Sequence, residues 1–203
     1  MAEISASLVK QLRDRTGAGM MECKKALVEA NGDLAEGETV LRKWGIASAG
    51  KKATRSTKQG TIGTYIHAGA QLGVMVEINC ESDFVARTDE FQELVRDVAM
   101  HIAAADPQFV RREDVTEAVL EKEKEIQKAR AVNEGKPEKV AEKIVEGRMA
   151  KFYEEVCLME QPFVKENSLS IEQLIKQKIA KLGENITVAR FARFKVGDSQ
   201  SAE

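Results

Sequence analysis

Apolar residues recur at helical spacing along the first 45 positions of the chain. Leu8, Val9 and Leu12 form a stripe behind Ser5, a residue type that caps helix N-termini. Thr16-Gly17-Ala18-Gly19 then interrupts the pattern. A second stripe runs through Met20, Cys23, Leu27 and Ala30, which puts Met20 on the buried side and Met21 about 100° away from it. Asn31-Gly32 supplies a left-handed helix end, and Asp33 caps a third segment that carries Leu34, Val40, Leu41 and Trp44. Three short helices and a small bundle are predicted here. From Gly45 to Gly60 the residues are mostly Gly, Ala, Ser, Thr and Lys with little periodicity, which reads as a linker.

The period then changes from helical to two. Val74, Val76 and Ile78 alternate with Met75, Glu77 and Asn79, as in a half-buried strand. Thr61 to His67 is a weaker strand, joined to it through the Gly-rich segment Ala68 to Gly73. Thr88-Asp89 opens a helix with an apolar face of Phe91, Leu94 or Val95, Val98 and Ile102, ending near Asp106-Pro107. Residues 112–133 and 137–155 predict two heavily charged helices, with Gly135 and Pro137 punctuating the turn between them. In that hairpin Val115, Val119, Ile126 and Ala129 are expected to face Val140, Ile144 and Met149, the rest being solvated charge as in an antiparallel coiled coil. Ser170 caps a further helix to Leu182. Ile186 to Val196 reads as a closing strand, although Arg190 and Phe191 break its alternation.

These elements predict an α+β protein. A three-helix N-terminal module occupies 1–46 and a linker 47–60. The core spans 61–203, built on a small antiparallel sheet with helices, and contains the protruding helical hairpin 112–155. The 203 residues suffice for one ample domain or two small ones. Hydrophobic content of 43% and charged content of 32% belong to a globular chain, not a disordered one. The net charge of −2 argues against a general polyanion binder, since that affinity needs an excess of cations. Charge is nevertheless segregated: residues 1–58 carry +4 and residues 59–110 carry −6. No apolar run approaches the roughly 20 residues of a membrane span. The first residues lack a basic region followed by an apolar stretch. Three widely spaced cysteines, Cys23, Cys80 and Cys157, match neither a disulfide framework nor a zinc site. A cytoplasmic protein with no cofactor and no metal of its own is expected.

Candidate chemistry is sparse. Gly45-x-x-x-x-Gly50-Lys51-Lys52 nearly matches a phosphate-binding loop, but Lys52 stands where a magnesium-binding hydroxyl belongs and a helix precedes it. His101 sits at the margin of an apolar helix face, where a structural role is expected. Cys80 near Asp83 would make a thiol enzyme only with a histidine beside it. Lys51, Lys52, Arg55 and Lys58 would serve a nucleic-acid binder, against which the acidic middle segment argues. The feature that stands out is the turn Asn79-Cys80-Glu81-Ser82-Asp83-Phe84-Val85, which leads from strand to helix. Two readings remain open on pattern alone: Asp83 caps a helix while Phe84 enters the core, or the pair forms an acidic-aromatic wedge for a partner.

Leu12-Arg13-Asp14-Arg15-Thr16-Gly17-Ala18-Gly19-Met20-Met21-Glu22-Cys23-Lys24-Lys25-Ala26-Leu27 closely resembles the N-terminal signature of the bacterial elongation factor Ts family. The segment from Gly73 to Ala86, with Asn79-Cys80-Glu81-Ser82-Asp83-Phe84-Val85 inside it, resembles that family's second signature. Glu142 to Met149 and Gln161-Pro162-Phe163-Val164 are similar to further family segments, so the likeness runs in order from about residue 3 to 196. The resemblance implies a guanine-nucleotide exchange factor, not an enzyme. Such a factor binds elongation factor Tu in its GDP-bound and nucleotide-free states, displaces magnesium and promotes GDP release during translation elongation. It involves no direct nucleic acid and no membrane.

Carried over by position, the resemblance gives Ser82, Asp83, Phe84 and Val85 the role of reaching into the partner's GTPase domain and dislodging its magnesium ion. Ser82 stands where the family usually has Thr, keeping the hydroxyl. Arg13, Met20 and Met21 correspond to residues that contact a helix of the same GTPase domain. The N-terminal module is expected to be ubiquitin-associated-like, and the hairpin to match the family's coiled-coil protrusion. Longer members contain two related half-cores, whereas this chain shows one strand–strand–helix unit. It resembles the short form, and a homodimer that supplies the missing half is expected.

Overall fold

A computed structural model describes residues 4–135 and 137–198, and at positions 46, 48 and 138–141 it describes the backbone alone. The chain divides into two compact units, each assembled from separate stretches of sequence. The first comprises 1–60, 79–92 and 173–187, and the second comprises 61–78, 93–172 and 188–203.

In the first unit, α1 (Ala6–Thr16), α2 (Met20–Glu29) and α3 (Leu34–Lys52) form the N-terminal bundle. Ser5 and Asp33 cap α1 and α3 with their side chains, accepting the N–H groups of Leu8 and Glu36. Gly17 ends α1 in the left-handed region at φ +67°, its N–H on the Arg13 carbonyl. Val9, Leu12, Cys23, Ala26, Leu27 and Val40 make the core, with Leu8, Leu34, Leu41 and Trp44 packed around it. The third helix continues well past Trp44, where the apolar pattern stops. Its last turns carry small residues, and these form a packing surface: Ala49 is buried, and a Cβ on Gly45 would come within 2.9 Å of Ala180 in α8 (Ile171–Leu182). Residues that read as linker are thus helical because their small size admits a neighbouring helix, and Gly45 to Lys52 form no phosphate-binding loop. Glu90 joins α8 to the start of α5 (Asp89–Ala105), accepting from Lys178 and, at 2.7 Å, from Lys181.

The second unit is built on a sheet ordered β1-β2-β5, from β1 (Gln59–Ile66), β2 (Leu72–Cys80) and β5 (Ile186–Lys195). Val74, Val76 and Val188 are buried on one face. A Cβ on Gly63 would lie 2.1 Å from Val95 Cγ1, so glycine lets β1 and α5 approach closely. The opposite face leaves Ile62, Ile66, Met75 and Phe194 in solvent. A small pair that the pattern did not predict, β3 (Pro162–Phe163) with antiparallel β4 (Glu166–Ser170), completes the strands.

The helical hairpin is present as α6 (Glu117–Asn133) and α7 (Glu138–Val156), but with a different inner face. Val119 and Ile126 are exposed, as is Ala129, whereas Gln127 and Ala131 are buried. Val115, just ahead of α6, is buried as expected, but within α6 the least exposed row is Leu120, Glu123, Gln127 and Ala131. Gln127 satisfies itself there by donating to Glu123 at 2.6 Å. Met149 is buried and Ile144 half-buried on α7, while the side chain of Val140 lies outside the described residues. The architecture is α+β, a small antiparallel sheet with many helices. Among the described residues, no helix is long and apolar enough to cross a membrane.

Candidate functional site

The turn that leaves β2 folds into α4 (Asp83–Ala86), a helix of four residues. Ser82 is its N-cap, with extended backbone and a hydroxyl that accepts the N–H of Val85 at 3.4 Å. Val85 is half-buried, and its carbonyl accepts the Thr88 hydroxyl at 2.8 Å. Ala86 is the buried end of the turn. Asp83 occupies the first helical position, where a carboxylate is favoured by the exposed N–H groups, and pairs with Arg87 at 3.0 Å. That pair is solvent-exposed, so it contributes little to stability and leaves the carboxylate available to a competitor.

Phe84 resolves the open choice of readings in favour of exposure. Its side chain is 81% exposed, the highest among the large hydrophobics that stand in solvent. Leaving a Phe in water forgoes about 1.5–3 kcal/mol relative to burying it. A sheet-to-helix turn that spends this on display is unusual for a purely structural element.

In the same compact unit, Met21 is 66% exposed and Arg13 is also exposed. Met20 departs from its expected place on the buried stripe and is 47% exposed. The helix begins at Met20, and a helical side chain leans toward the N-terminus. Met20 therefore projects past the first turn, beyond the layer that Cys23, Ala26 and Leu27 fill. Together, Met20 and Met21 put two adaptable thioethers at the bundle surface. The structure thus assembles Arg13, Met20, Met21 and Ser82 to Val85 into one unit, although some 60 residues of sequence separate the two groups.

Residues that pattern reading missed lie behind the turn. Glu184 accepts both the Ser82 N–H, at 2.9 Å, and the Ser82 hydroxyl, at 2.6 Å. Glu81 accepts the Asn185 N–H at 2.7 Å and pairs with Arg55 at 3.4 Å. The Asn185 N–H holds the Glu81 carboxyl below its ordinary range against the opposing effect of burial, and Arg55 adds to the lowering. No local sequence signal identifies this network, since its halves are about a hundred residues apart.

The competing chemistries do not gain from the geometry. Cys80 is buried, donates its thiol to the Ser82 carbonyl at 3.1 Å, and has its pKa pushed up by burial, the opposite of what a nucleophilic thiolate needs. Of the four cations considered for nucleic acid, Arg55 is engaged by Glu81.

Comparison with known proteins agrees with the motifs. The family described as Elongation factor TS matches residues 46–198. The chain is similar to an Elongation factor Ts of Solibacter usitatus, 78% identical over 203 residues, covering 100% of this chain and 96% of that protein. It is 65% identical to an Elongation factor Ts of Koribacter versatilis over 195 residues, 96% of this chain and 89% of the relative. An Elongation factor Ts of Thermosipho melanesiensis is 59% identical over 195 residues, 96% of this chain and 100% of the relative.

Proposed function

The chain belongs to the elongation factor Ts family, and we propose that it is a guanine-nucleotide exchange factor that binds elongation factor Tu and promotes GDP release. In this reading it is no enzyme: it makes and breaks no covalent bond, and acts by changing what its partner binds. A protein that prefers the nucleotide-free partner must weaken nucleotide binding by the same factor, because coupling between two sites is reciprocal.

The observation that carries the reading is the exposed Phe84 on a capped turn, with Asp83 beside it. In the partner, magnesium bridges phosphate and protein oxygens and neutralises their charge, so displacing it loosens the strongest contacts to the nucleotide. Phe84 enters the GTPase domain as a wedge. Asp83 exchanges Arg87 for groups flanking the metal, and Ser82 and Val85 hold the turn. Arg13, Met20 and Met21 provide separate contact area on a helix of the same domain. The bundle of α1, α2 and α3 is of the ubiquitin-associated type, and the hairpin is a coiled-coil protrusion. Two chains associate through the core, for which the exposed apolar sheet face offers a surface. The site of action is the cytoplasm, where translation proceeds.

Phe84→Ala tests the wedge. Since the N-terminal module supplies contact area of its own, the variant should bind nucleotide-free elongation factor Tu within about threefold of the parent affinity. Its maximal rate of GDP release should fall by roughly tenfold or more, the scale on which removing one well-placed anchor acts. Exchange at the parent rate by a folded Phe84→Ala protein would refute the wedge.

A further inference from the structure

A helix of four residues cannot hold its own orientation in water, because helix nucleation is unfavourable until several hydrogen bonds have formed. Yet α4 keeps a large aromatic in solvent. Its N-cap supplies the means. The Ser82 hydroxyl accepts from Val85 at 3.4 Å and donates its own O–H to Glu184 Oε1 at 2.6 Å, while the Ser82 N–H donates to Glu184 Oε2 at 2.9 Å. One carboxylate thus takes both donors of the capping residue, in charge-assisted bonds stronger than neutral ones.

The bond is reciprocated. Glu81 accepts the Asn185 N–H at 2.7 Å, so residues 81–82 and 184–185 exchange carboxylates for amides crosswise. The far side of this clamp is itself rigid. Gly183 ends α8 in the left-handed region at φ +80°, its N–H on the Ile179 carbonyl at 3.0 Å. Asn185 is buried, and its amide donates to the carbonyls of Ala53 and Arg55 at 3.3 and 2.8 Å. Glu184 therefore reaches Ser82 from a segment fixed at both ends.

We propose that Glu184 is a positioning residue for exchange: by taking both Ser82 donors it holds α4 in the orientation that presents Phe84 to the partner. The inference rests on the reading of Phe84 as the wedge. In this role Glu184 acts through the turn, by its bonds to Ser82.

The test is a double-mutant cycle in GDP release from elongation factor Tu, recording maximal rate and half-saturating concentration for the parent, Glu184→Ala, Phe84→Ala and the double variant. Glu184→Ala should lower the maximal rate roughly tenfold, the loss expected when charge-assisted bonds no longer populate the competent turn. The half-saturating concentration should stay within about threefold. In the Phe84→Ala background, removing Glu184 should change the rate by less than about twofold, because groups that act as one unit are not additive. If Glu184→Ala is poorly folded by circular dichroism, Glu184→Gln replaces it. The amide keeps an oxygen for the hydroxyl but loses the second acceptor, so a roughly threefold loss is expected. A parent rate for a folded Glu184 variant beside a slow Phe84→Ala overturns the positioning role and leaves the wedge standing. So does a full additive loss in the double variant, the mark of general damage. A parent rate for Phe84→Ala overturns the wedge and the positioning role together.

Discussion

His101 is fully buried and both of its ring nitrogens have partners. Its Nε2 faces the Gln161 side-chain oxygen at 3.0 Å, and its Nδ1 accepts the Val164 N–H at 3.3 Å. Gln161 is oriented in turn by donating to the carbonyls of Glu155 and Ala105. Burial pushes the His101 pKa below its ordinary 6.5, and the Gln161 hydrogen bond offsets only part of that. On acidification the unfolded chain takes the proton first. The stability from a neutral His101 is therefore complete above about pH 6.5 and is lost as pH falls below it. The unfolding free energy from urea titration should drop between pH 7.5 and 5.5, by no more than about 1.4 kcal/mol per pH unit for this group, and His101→Gln should flatten that slope. An unchanged slope in the variant would assign the pH dependence elsewhere. The structural role of His101 is legible in sequence, as its place near an apolar helix face shows. The fate of Phe84 is not, since an aromatic after a strand has the same pattern whether it turns in or out. Met20 fits its stripe by spacing and yet stands in solvent, because spacing does not report that the helix begins there.

The three-stranded sheet is an element with one face too many. Val74, Val76 and Val188 are buried on one side, whereas Ile62, Ile66, Met75 and Phe194 remain exposed on the other. An apolar sheet face in water favours association, and a second copy is the occupant assigned to it above. Sedimentation at micromolar concentration should show a dimer, and Phe194→Glu should shift it toward monomer while leaving the circular dichroism unchanged. A monomer of the parent protein, both free and with partner, would remove the dimer. Long elements with strong periodicity, such as β2 and α5, are legible from pattern to within a few residues. The hairpin α6–α7 is legible as two helices but not in its inner face. With so few apolar residues, a buried Gln127 and Ala131 outweigh the exposed Val119 and Ile126. The pair β3–β4 is too short to carry any period, and the last turns of α3 are hidden by small residues whose packing partner, Ala180, is far away in sequence.

At the scale of the whole molecule, the proposed function asks for no catalytic centre in this chain. Its charge is segregated along the sequence, +4 over residues 1–58 and −6 over residues 59–110, which favours steered encounter with a charged partner more than stability. In the proposed function exchange follows from linkage: binding energy gained on the empty partner would be withdrawn from the nucleotide, and the incoming nucleotide would withdraw it again from the exchange factor. Such a cycle would turn over, with one molecule serving many partners. The direct measurement is release of a fluorescent GDP analogue from elongation factor Tu in excess unlabelled GDP, with this protein added far below the partner's concentration. Complete, accelerated release at a rate proportional to the added protein is the predicted result. Release that is unchanged, or that stops after one equivalent, would contradict the account.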